Sequence, residues 1–463
     1  MLFGCVVVQW IEYKDAPTAT ALKARLHPKR EIKTVINRTE NGLRFFLTSG
    51  TAFFAGALSL VSQIIGLRIV SRELSASELT VASVLVCALC GLSLGALITG
   101  RIADRKRFKQ PTDDAGSKQN KRGALARGTF MLGNILLALA SIAVLLLALV
   151  GSGLAGWLAS SNGETLQVLF FLLVTVFPIN ILLGGIVPVL TKAMVVKAVD
   201  DVQSAFGWVY AWETFGAAVG AWVVVFVAVP SLGARNSLLI AAAIVLAWTA
   251  LSLLLGKSPT ETEADSQKLT ATKKATATPE VAVSQNEIAP QDNRQPQDNR
   301  QPQHTTFQFR WLLLFAALAS SSASLGMELV WQRYFAVVFG SDSHSYAVVA
   351  TVFLVGNSIG ALLASHIFRV RRASRQLYQW QLLLVAGAIL VSVWSLGVWF
   401  RLETLQWVLG WLSQSPLSGR LAMAVAVLLL PAIVIGTALP VFCLLYTSPS
   451  PRDRTRSRMP SSA

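Results

Sequence analysis

The chain has 463 residues, of which 53% are hydrophobic and only 14% are charged, and its net charge is +16. Soluble proteins carry about 25% charged residues, so this composition argues against a soluble globular enzyme. The four cysteines (Cys5, Cys87, Cys90 and Cys443) are spread too widely for a disulfide-stapled secreted fold.

The apolar residues are gathered into runs that match the thickness of a bilayer. A helix of about 20 apolar residues crosses about 30 Å of hydrocarbon. The runs therefore predict an all-α polytopic membrane protein. Ten transmembrane helices are predicted: Phe45 to Leu67, Leu79 to Gly100, Thr129 to Val150, Leu166 to Leu190, Gly207 to Val229, Ser237 to Leu255, Trp311 to Gln332, Tyr346 to Ile367, Gln379 to Phe400 and Leu421 to Leu445.

The positive charges lie mainly on one side of these spans. With the N-terminus inside, every lysine falls on the inner side. The outer side has only six arginines: Arg68, Arg72, Arg235, Arg333, Arg401 and Arg420. This pattern predicts a cytoplasmic N-terminus in a plasma membrane, here a bacterial inner membrane. Because topology accounts for the basic charge, the lipid bilayer is the expected partner and nucleic acid is not.

The sequence divides into five segments. Residues 1–44 form a basic cytoplasmic N-terminal segment, and residues 45–255 hold the first six spans. Residues 256–309 are polar and repeat the hexapeptide PQDNRQ, which predicts a disordered cytoplasmic linker. Residues 310–445 hold four more spans. Residues 446–463 are rich in arginine and resemble translated sequencing adapter, so this tail is predicted to be non-native.

The two halves of the chain are related to each other. A shift of 265 residues places SLVSQIIGLR (Ser59 to Arg68) on SLGMELVWQR (Ser324 to Arg333), and GLSLGAL at Gly91 on GNSIGAL at Gly356. Since the repeats begin at spans 1 and 7, they share one orientation, as in the two halves of major facilitator transporters. The second repeat has four spans against six, which predicts that the chain is truncated at its C-terminal end.

Several blocks carry a family resemblance. They are MELVWQR at Met327, GLSLGALITGRIADRKR at Gly91, FPINILLGGIVPVL at Phe177 and the stretch from Gly207 to Leu239. In this order they resemble the membrane part of the spermidine-synthase-like family, the fused major facilitator and spermidine synthase proteins. The resemblance implies a membrane module of a polyamine aminopropyltransferase-like protein whose catalytic domain is absent from this chain. No catalytic residue and no cofactor is predicted here.

Proline and glycine interrupt predicted spans 4 and 10 at matching places. Such interruptions free backbone groups, and equivalent ones in both halves point to a transporter-like binding site. Kinks that only shape the bundle are the other interpretation. The candidate residues for a substrate path or helix break are Glu328, Gln63, Pro178, Gly184, Gly185, Pro188, Pro431, Gly436 and Pro440.

Glu328 stands out because a carboxylate inside a span is costly unless it has a partner or a function. Arg333, five residues further on, could be that partner. Glu213 lies among aromatic residues and is expected at the membrane interface. Pairs of glycines with three residues between them predict close helix packing at Gly91, Gly95, Gly356, Gly360, Gly216 and Gly220. No metal site is predicted, since the four histidines are scattered.

Three functions remain open from the sequence. The first is the membrane module of a spermidine-synthase-like protein. The second is a major-facilitator-like transporter of a small metabolite, which could be a polyamine or another cation. The third is a membrane scaffold.

Overall fold

The computed structural model describes residues 28–74, 78–105, 115–159, 164–197, 202–256, 304–339, 343–370, 375–401, 416–438 and 440. Most of the predicted linker and the whole predicted non-native tail lie outside the described residues. Their predicted character therefore stays a prediction.

The described chain is helical throughout. Its α-helices are α1 (Pro28–Glu73), α2 (Glu78–Arg105), α3 (Ala115–Ala159), α4 (Glu164–Val174), α5 (Val176–Gly184), α6 (Ile186–Lys197), α7 (Val202–Val223), α8 (Val229–Leu255), α9 (His304–Phe339), α10 (Ser343–Val370), α11 (Arg375–Arg401) and α12 (Pro416–Gly436). A π-helical turn, Val224–Ala228, joins α7 to α8. The predicted all-α fold is confirmed.

The described residues include seven segments that are long and apolar enough to cross a membrane. They are Gly42–Glu73, Thr80–Ile102, Ala126–Ala159, Val176–Val195, Ser204–Leu255, His344–His366 and Gly419–Gly436. The fifth covers both predicted spans 5 and 6. Predicted spans 7 and 9 lie within α9 and α11 but outside these seven segments, and predicted span 10 is helical as far as Gly436.

Gly233 separates predicted spans 5 and 6. Its φ of 80° and ψ of 167° are non-helical, and such a positive φ is one that glycine adopts at little cost. The Ser237 hydroxyl donates a hydrogen bond of 2.6 Å to the Gly233 carbonyl. The chain can therefore leave one helix and begin the next without a long loop.

In the first half, α2 and α5 approach so closely that only glycine fits between them. A Cβ added to Gly95 would lie 2.0 Å from the Ile181 carbonyl oxygen. One added to Gly184 would lie 2.1 Å from the carbonyl oxygen of Leu92. Both distances are far below van der Waals contact, so these glycines bring the two backbones together.

The second half repeats this arrangement between α10 and α12. A Cβ added to Gly360 would lie 2.1 Å from the Ile433 carbonyl oxygen, and one added to Gly436 would lie 2.3 Å from that of Asn357. Each contacting pair matches a pair of the first half, with residue numbers shifted by 265 on one helix and by 252 on the other. The two halves thus use equivalent positions for the same helix contact.

Helix α7 packs on both halves. Added Cβ atoms on Gly216 and Gly220 would lie 1.9 Å and 2.8 Å from the carbonyl oxygens of Phe53 and Ala57 on α1. The opposite neighbour of α7 is α10, whose Ser358 hydroxyl donates a hydrogen bond of 2.8 Å to the Ala211 carbonyl. Residues of α7 therefore lie where the two halves meet.

Large apolar side chains cover the outward faces of the bundle. Leu146 and Trp157 on α3, Phe170 on α4, and Leu390 and Trp394 on α11 are all exposed. Exposed apolar surface of this extent is unfavourable in water and suits the hydrocarbon of a bilayer.

Candidate functional site

Two carboxylates and two tyrosines lie on α10 and on the two helices that pack against it, α7 and α9. Tyr210 lies within electrostatic range of both Glu213 and Glu328, and Tyr346 lies within range of Glu328. Protein atoms surround all four side chains, yet each keeps part of its surface accessible.

Glu213 lies on α7 beside the first-half helix α1. The position at the membrane interface expected from its tryptophan and tyrosine neighbours stays a prediction. An added Cβ on Gly56 of α1 would lie 1.8 Å from the Glu213 carbonyl oxygen. The aromatic residues around it pack along α7, where Trp208 and Trp212 have ring centroids 6.1 Å apart.

Glu328 accepts its hydrogen bond from a neutral partner. The Gln332 amide, one helical turn further on, donates a hydrogen bond of 3.2 Å to Oε1 of Glu328. Arg333, the partner considered from the sequence, is exposed and does not pair with it. Among the described residues, neither Glu213 nor Glu328 forms an ion pair.

Gln63 belongs to a hydrogen-bonded triad that joins α1 to α5. The Ser59 hydroxyl donates a hydrogen bond of 2.8 Å to the Asn180 side-chain oxygen. The Gln63 amide donates two hydrogen bonds, one of 3.0 Å to the Ser59 hydroxyl and one of 3.4 Å to the same Asn180 oxygen. Asn180 is fully buried and donates 2.8 Å to the Val176 carbonyl. Sequence reasoning missed Asn180, although a lone asparagine within an apolar span is a signal that could have found it.

A second buried network, also missed, is centred on Asn134 of α3. Its side-chain oxygen accepts hydrogen bonds from the hydroxyl groups of Thr51, at 3.4 Å, and Ser252, at 2.5 Å. Its amide donates 3.0 Å to the Phe130 carbonyl. Because Asn134, Thr51 and Ser252 are all fully buried, this network ties α1, α3 and α8 together and has no surface to offer a ligand.

The predicted span 4 is broken twice, and each break lies three residues before a proline. Thr175 precedes Pro178, and Gly185 precedes Pro188. Proline lacks a backbone N–H and its ring crowds the carbonyl of the preceding turn, which accounts for both positions. At the first break the Phe171 carbonyl accepts two hydrogen bonds from Thr175, one from its backbone N–H at 3.0 Å and one from its hydroxyl at 2.6 Å.

Within its described residues, predicted span 10 is broken once. The turn at Thr437 lies three residues before Pro440, as at Pro188 in the first half. Pro431 lies within the continuous helix α12 and does not interrupt it, which differs from the sequence expectation. The Gln381 amide donates a hydrogen bond of 3.2 Å to the Val434 carbonyl beside the turn, and a second hydrogen bond to the Thr437 hydroxyl.

The candidate residues therefore fall into two groups. Glu328 lies within electrostatic range of Tyr210, as does Glu213, which was not among the candidates, and Gln63 lies in the buried triad. The proline and glycine candidates lie at helix breaks and close helix contacts instead. Within the described ranges, histidine, cysteine and acidic side chains form no cluster that could hold a metal ion.

A comparison with family models matches residues 47–457 to the model described as Major Facilitator Superfamily. This range includes both halves of the chain. The comparison shows neither the spermidine-synthase association nor the truncation expected from the sequence. A comparison with curated proteins gives no match.

Proposed function

The chain belongs to the major facilitator superfamily, and we propose that it transports a small cationic metabolite whose binding site contains Glu213 and Glu328. Family membership makes it a multi-pass membrane protein with a small-molecule substrate. The charge of that substrate is our own inference. It rests on one observation, two enclosed carboxylates that both lie within electrostatic range of Tyr210 and form no ion pair among the described residues.

A cation is the ligand that suits such a site. Carboxylates enclosed by protein lose hydration, and a nearby opposite charge offsets that loss. Tyr210 and Tyr346 add aromatic faces, which attract ammonium groups, and hydroxyl groups that can accept a hydrogen bond from an amine. An anionic substrate would face repulsion from both carboxylates.

The location of the site suits alternating access. Glu213 and Tyr210 come from the first half of the chain, and Glu328 and Tyr346 from the second. Rocking of one half against the other would open the site to either side of the membrane in turn. The proposal includes two parallel repeats, with the N-terminus and residues 256–309 in the cytoplasm of a bacterial inner-membrane protein. The positive-inside charge pattern supports this orientation.

The test is uptake into proteoliposomes with radiolabelled spermidine as the cationic probe, and with glucose and sulfate as neutral and anionic comparators. We expect spermidine uptake by the wild type. Glu328→Gln and Glu213→Gln should each reduce spermidine uptake by more than about tenfold. Removing one partner of a buried pair of opposite charges, here a carboxylate and the bound amine, costs about 2–5 kcal/mol.

Glu73→Gln is the matched control. Glu73 lies at the end of α1, where its carboxylate is 4.0 Å from the exposed Arg72 guanidinium. Its neutralisation should leave uptake unchanged. Equal uptake by wild type and both Glu→Gln variants, or uptake of sulfate in preference to spermidine, would contradict the proposal.

A second candidate function rests on the sequence blocks alone. The stretches from Phe177 to Leu190 and from Gly207 to Leu239 resemble the membrane part of spermidine-synthase-like proteins. A membrane module of that kind, like a scaffold, would not accumulate spermidine in a manner that depends on Glu328. The same uptake experiment therefore separates these functions from transport.

A further inference from the structure

Asn357 of α10 carries a buried oxygen atom that has no partner. Its side chain is 7% exposed, and its Oδ1 accepts no hydrogen bond from the described residues. The side-chain oxygens of Asn134 and Asn180, which are fully buried, each accept hydrogen bonds from two other side chains. An unbonded polar atom in a protein interior costs free energy, so Asn357 needs a reason other than stability.

The internal repeat shows that helix packing does not require an asparagine at this position. A shift of 265 residues relates Asn357 to Leu92 of the first half. An added Cβ on Gly184 would lie 2.1 Å from the Leu92 carbonyl oxygen, and one on Gly436 would lie 2.3 Å from that of Asn357. The first half therefore makes the same close contact with an apolar side chain, and the contact does not explain the amide.

The contacts between α7 and α10 define how these two helices run past each other. The Ser358 hydroxyl of α10 donates a hydrogen bond of 2.8 Å to the Ala211 carbonyl of α7. Further along, the rings of His344 and Phe226 have centroids 5.3 Å apart, where Phe226 belongs to the π-helical turn that continues α7. Residue numbers fall on α10 as they rise on α7, so the two helices are antiparallel.

Asn357 and Tyr210 lie on the same side of this helix pair. Each immediately precedes a residue of the hydrogen bond between Ser358 and Ala211, so each is turned by about 100° from the contact. Because the helices are antiparallel, both turns lead to the same side of the pair. The two residues also lie within about 5 Å of each other along the helix axes.

The region around Glu328 lies on that side as well. Tyr346 is about three full turns before Asn357 on α10, so the two residues share one face of the helix. Tyr210 and Tyr346 are both within electrostatic range of Glu328. Along α10, Asn357 lies between Tyr346 and the level of Tyr210. The unbonded oxygen therefore belongs to the same side of the bundle as the proposed binding site.

We propose that Asn357 is a specificity-determining residue whose side-chain oxygen accepts a hydrogen bond from an N–H group of the substrate. This inference rests on the proposed function and narrows the substrate class to protonated amines. The carboxylates attract any organic cation, but a quaternary ammonium has no N–H group to donate. The oxygen is enclosed in this structure, and rocking of the two halves would move α7 relative to α10 and open the side on which Asn357 lies.

The first experiment measures stability and does not depend on transport. Leucine has the branching and the number of side-chain heavy atoms of asparagine, and it is the residue that the first half has at this position. Asn357→Leu should leave the thermal unfolding midpoint in detergent unchanged or raise it by about 2 °C, because no unbonded oxygen is then buried. Tryptophan fluorescence follows the unfolding.

Asn134→Leu is the matched control for a buried asparagine with a structural role. It should lower the unfolding midpoint by about 2 °C or more, since the Thr51 and Ser252 hydroxyl groups lose their shared acceptor. A loss in Asn357→Leu as large as that in Asn134→Leu would show that Asn357 is needed for packing, and would overturn the inference.

The second experiment measures how two dications compete with spermidine for uptake into proteoliposomes, at spermidine concentrations well below its KM. Hexane-1,6-diamine and hexamethonium share a six-carbon chain and two positive charges, but only the diamine has N–H groups. Asn357→Leu should raise the concentration of diamine that halves uptake by about tenfold, because a hydrogen bond to a charged group is lost. The effect of hexamethonium, whether strong or weak, should change by less than about twofold.

A general disturbance of the bundle would weaken both dications together. An unchanged effect of the diamine in Asn357→Leu, or equal losses for the two dications, would therefore overturn the inference.

The experiments separate this inference from the proposed function. If the wild type takes up no spermidine, the proposed function fails, and the inference that rests on it fails too. If uptake depends on Glu213 and Glu328 but Asn357→Leu does not change the competition by the diamine, the proposed function stands and the inference alone fails.

Discussion

Replacing Gly95 or Gly360 with alanine should destabilise the protein by similar amounts. The two residues are equivalent in the two halves, and each lies where its helix touches the backbone of a partner helix. An added Cβ would lie 2.0 Å from the Ile181 carbonyl oxygen at Gly95 and 2.1 Å from the Ile433 carbonyl oxygen at Gly360. A carbon atom needs at least about 3 Å from such an oxygen, so each helix pair must separate by about 1 Å.

The cost follows from this separation. Overpacking of a well-packed contact costs about 1–3 kcal/mol, and a gap of up to about 1 Å forfeits a quarter to a half of the contact energy along the interface. Alanine is favoured over glycine within a helix by about 1 kcal/mol, which offsets part of the loss. We therefore expect a net destabilisation of about 1–2 kcal/mol in each variant.

The assay is reversible unfolding in mixed detergent micelles, followed by tryptophan fluorescence. Gly153→Ala and Gly387→Ala are matched controls, because no atom lies within 4 Å of an added Cβ at either position. The controls should be neutral or slightly stabilised. If Gly95→Ala and Gly360→Ala are no less stable than the controls, or if only one of them is affected, the equivalence of the two contacts is refuted.

Two further predictions concern the interior and the orientation of the chain. Asn134→Ala should lower the free energy of unfolding by about 1–3 kcal/mol, since it leaves the buried Thr51 and Ser252 hydroxyl groups without their shared acceptor. Replacement of the exposed Asn236 with alanine is the control in the same unfolding assay. Equal stability of the two variants would contradict the structural role of Asn134. Thr270→Cys in a cysteine-free background should react with an impermeant maleimide in inside-out vesicles and not in intact cells. The reason is that the positive-inside pattern predicts a cytoplasmic linker. Labelling in intact cells would contradict the proposed orientation.

The sequence alone predicted the fold class because hydropathy is a local property. A run of about 20 apolar residues has few alternatives to a helix in a bilayer, whatever lies elsewhere in the chain. The repeat could be seen for a similar reason, since Gly95 and Gly360 keep their spacing from neighbours along the sequence. Pro188 and Pro440 also mark their helix breaks locally, whereas Pro431 is accommodated within α12 and shows that proline alone does not decide a break.

The site depended on tertiary structure. Glu213 and Glu328 lie 115 residues apart in the sequence, on helices of different halves, and no local pattern indicates that both come within electrostatic range of Tyr210. The partner of Gln63 was hidden in the same way, because Asn180 lies on another helix, 117 residues away. Hydrophobicity is set residue by residue, but the pairing of polar groups depends on which helix faces touch, and only packing of the whole bundle determines that.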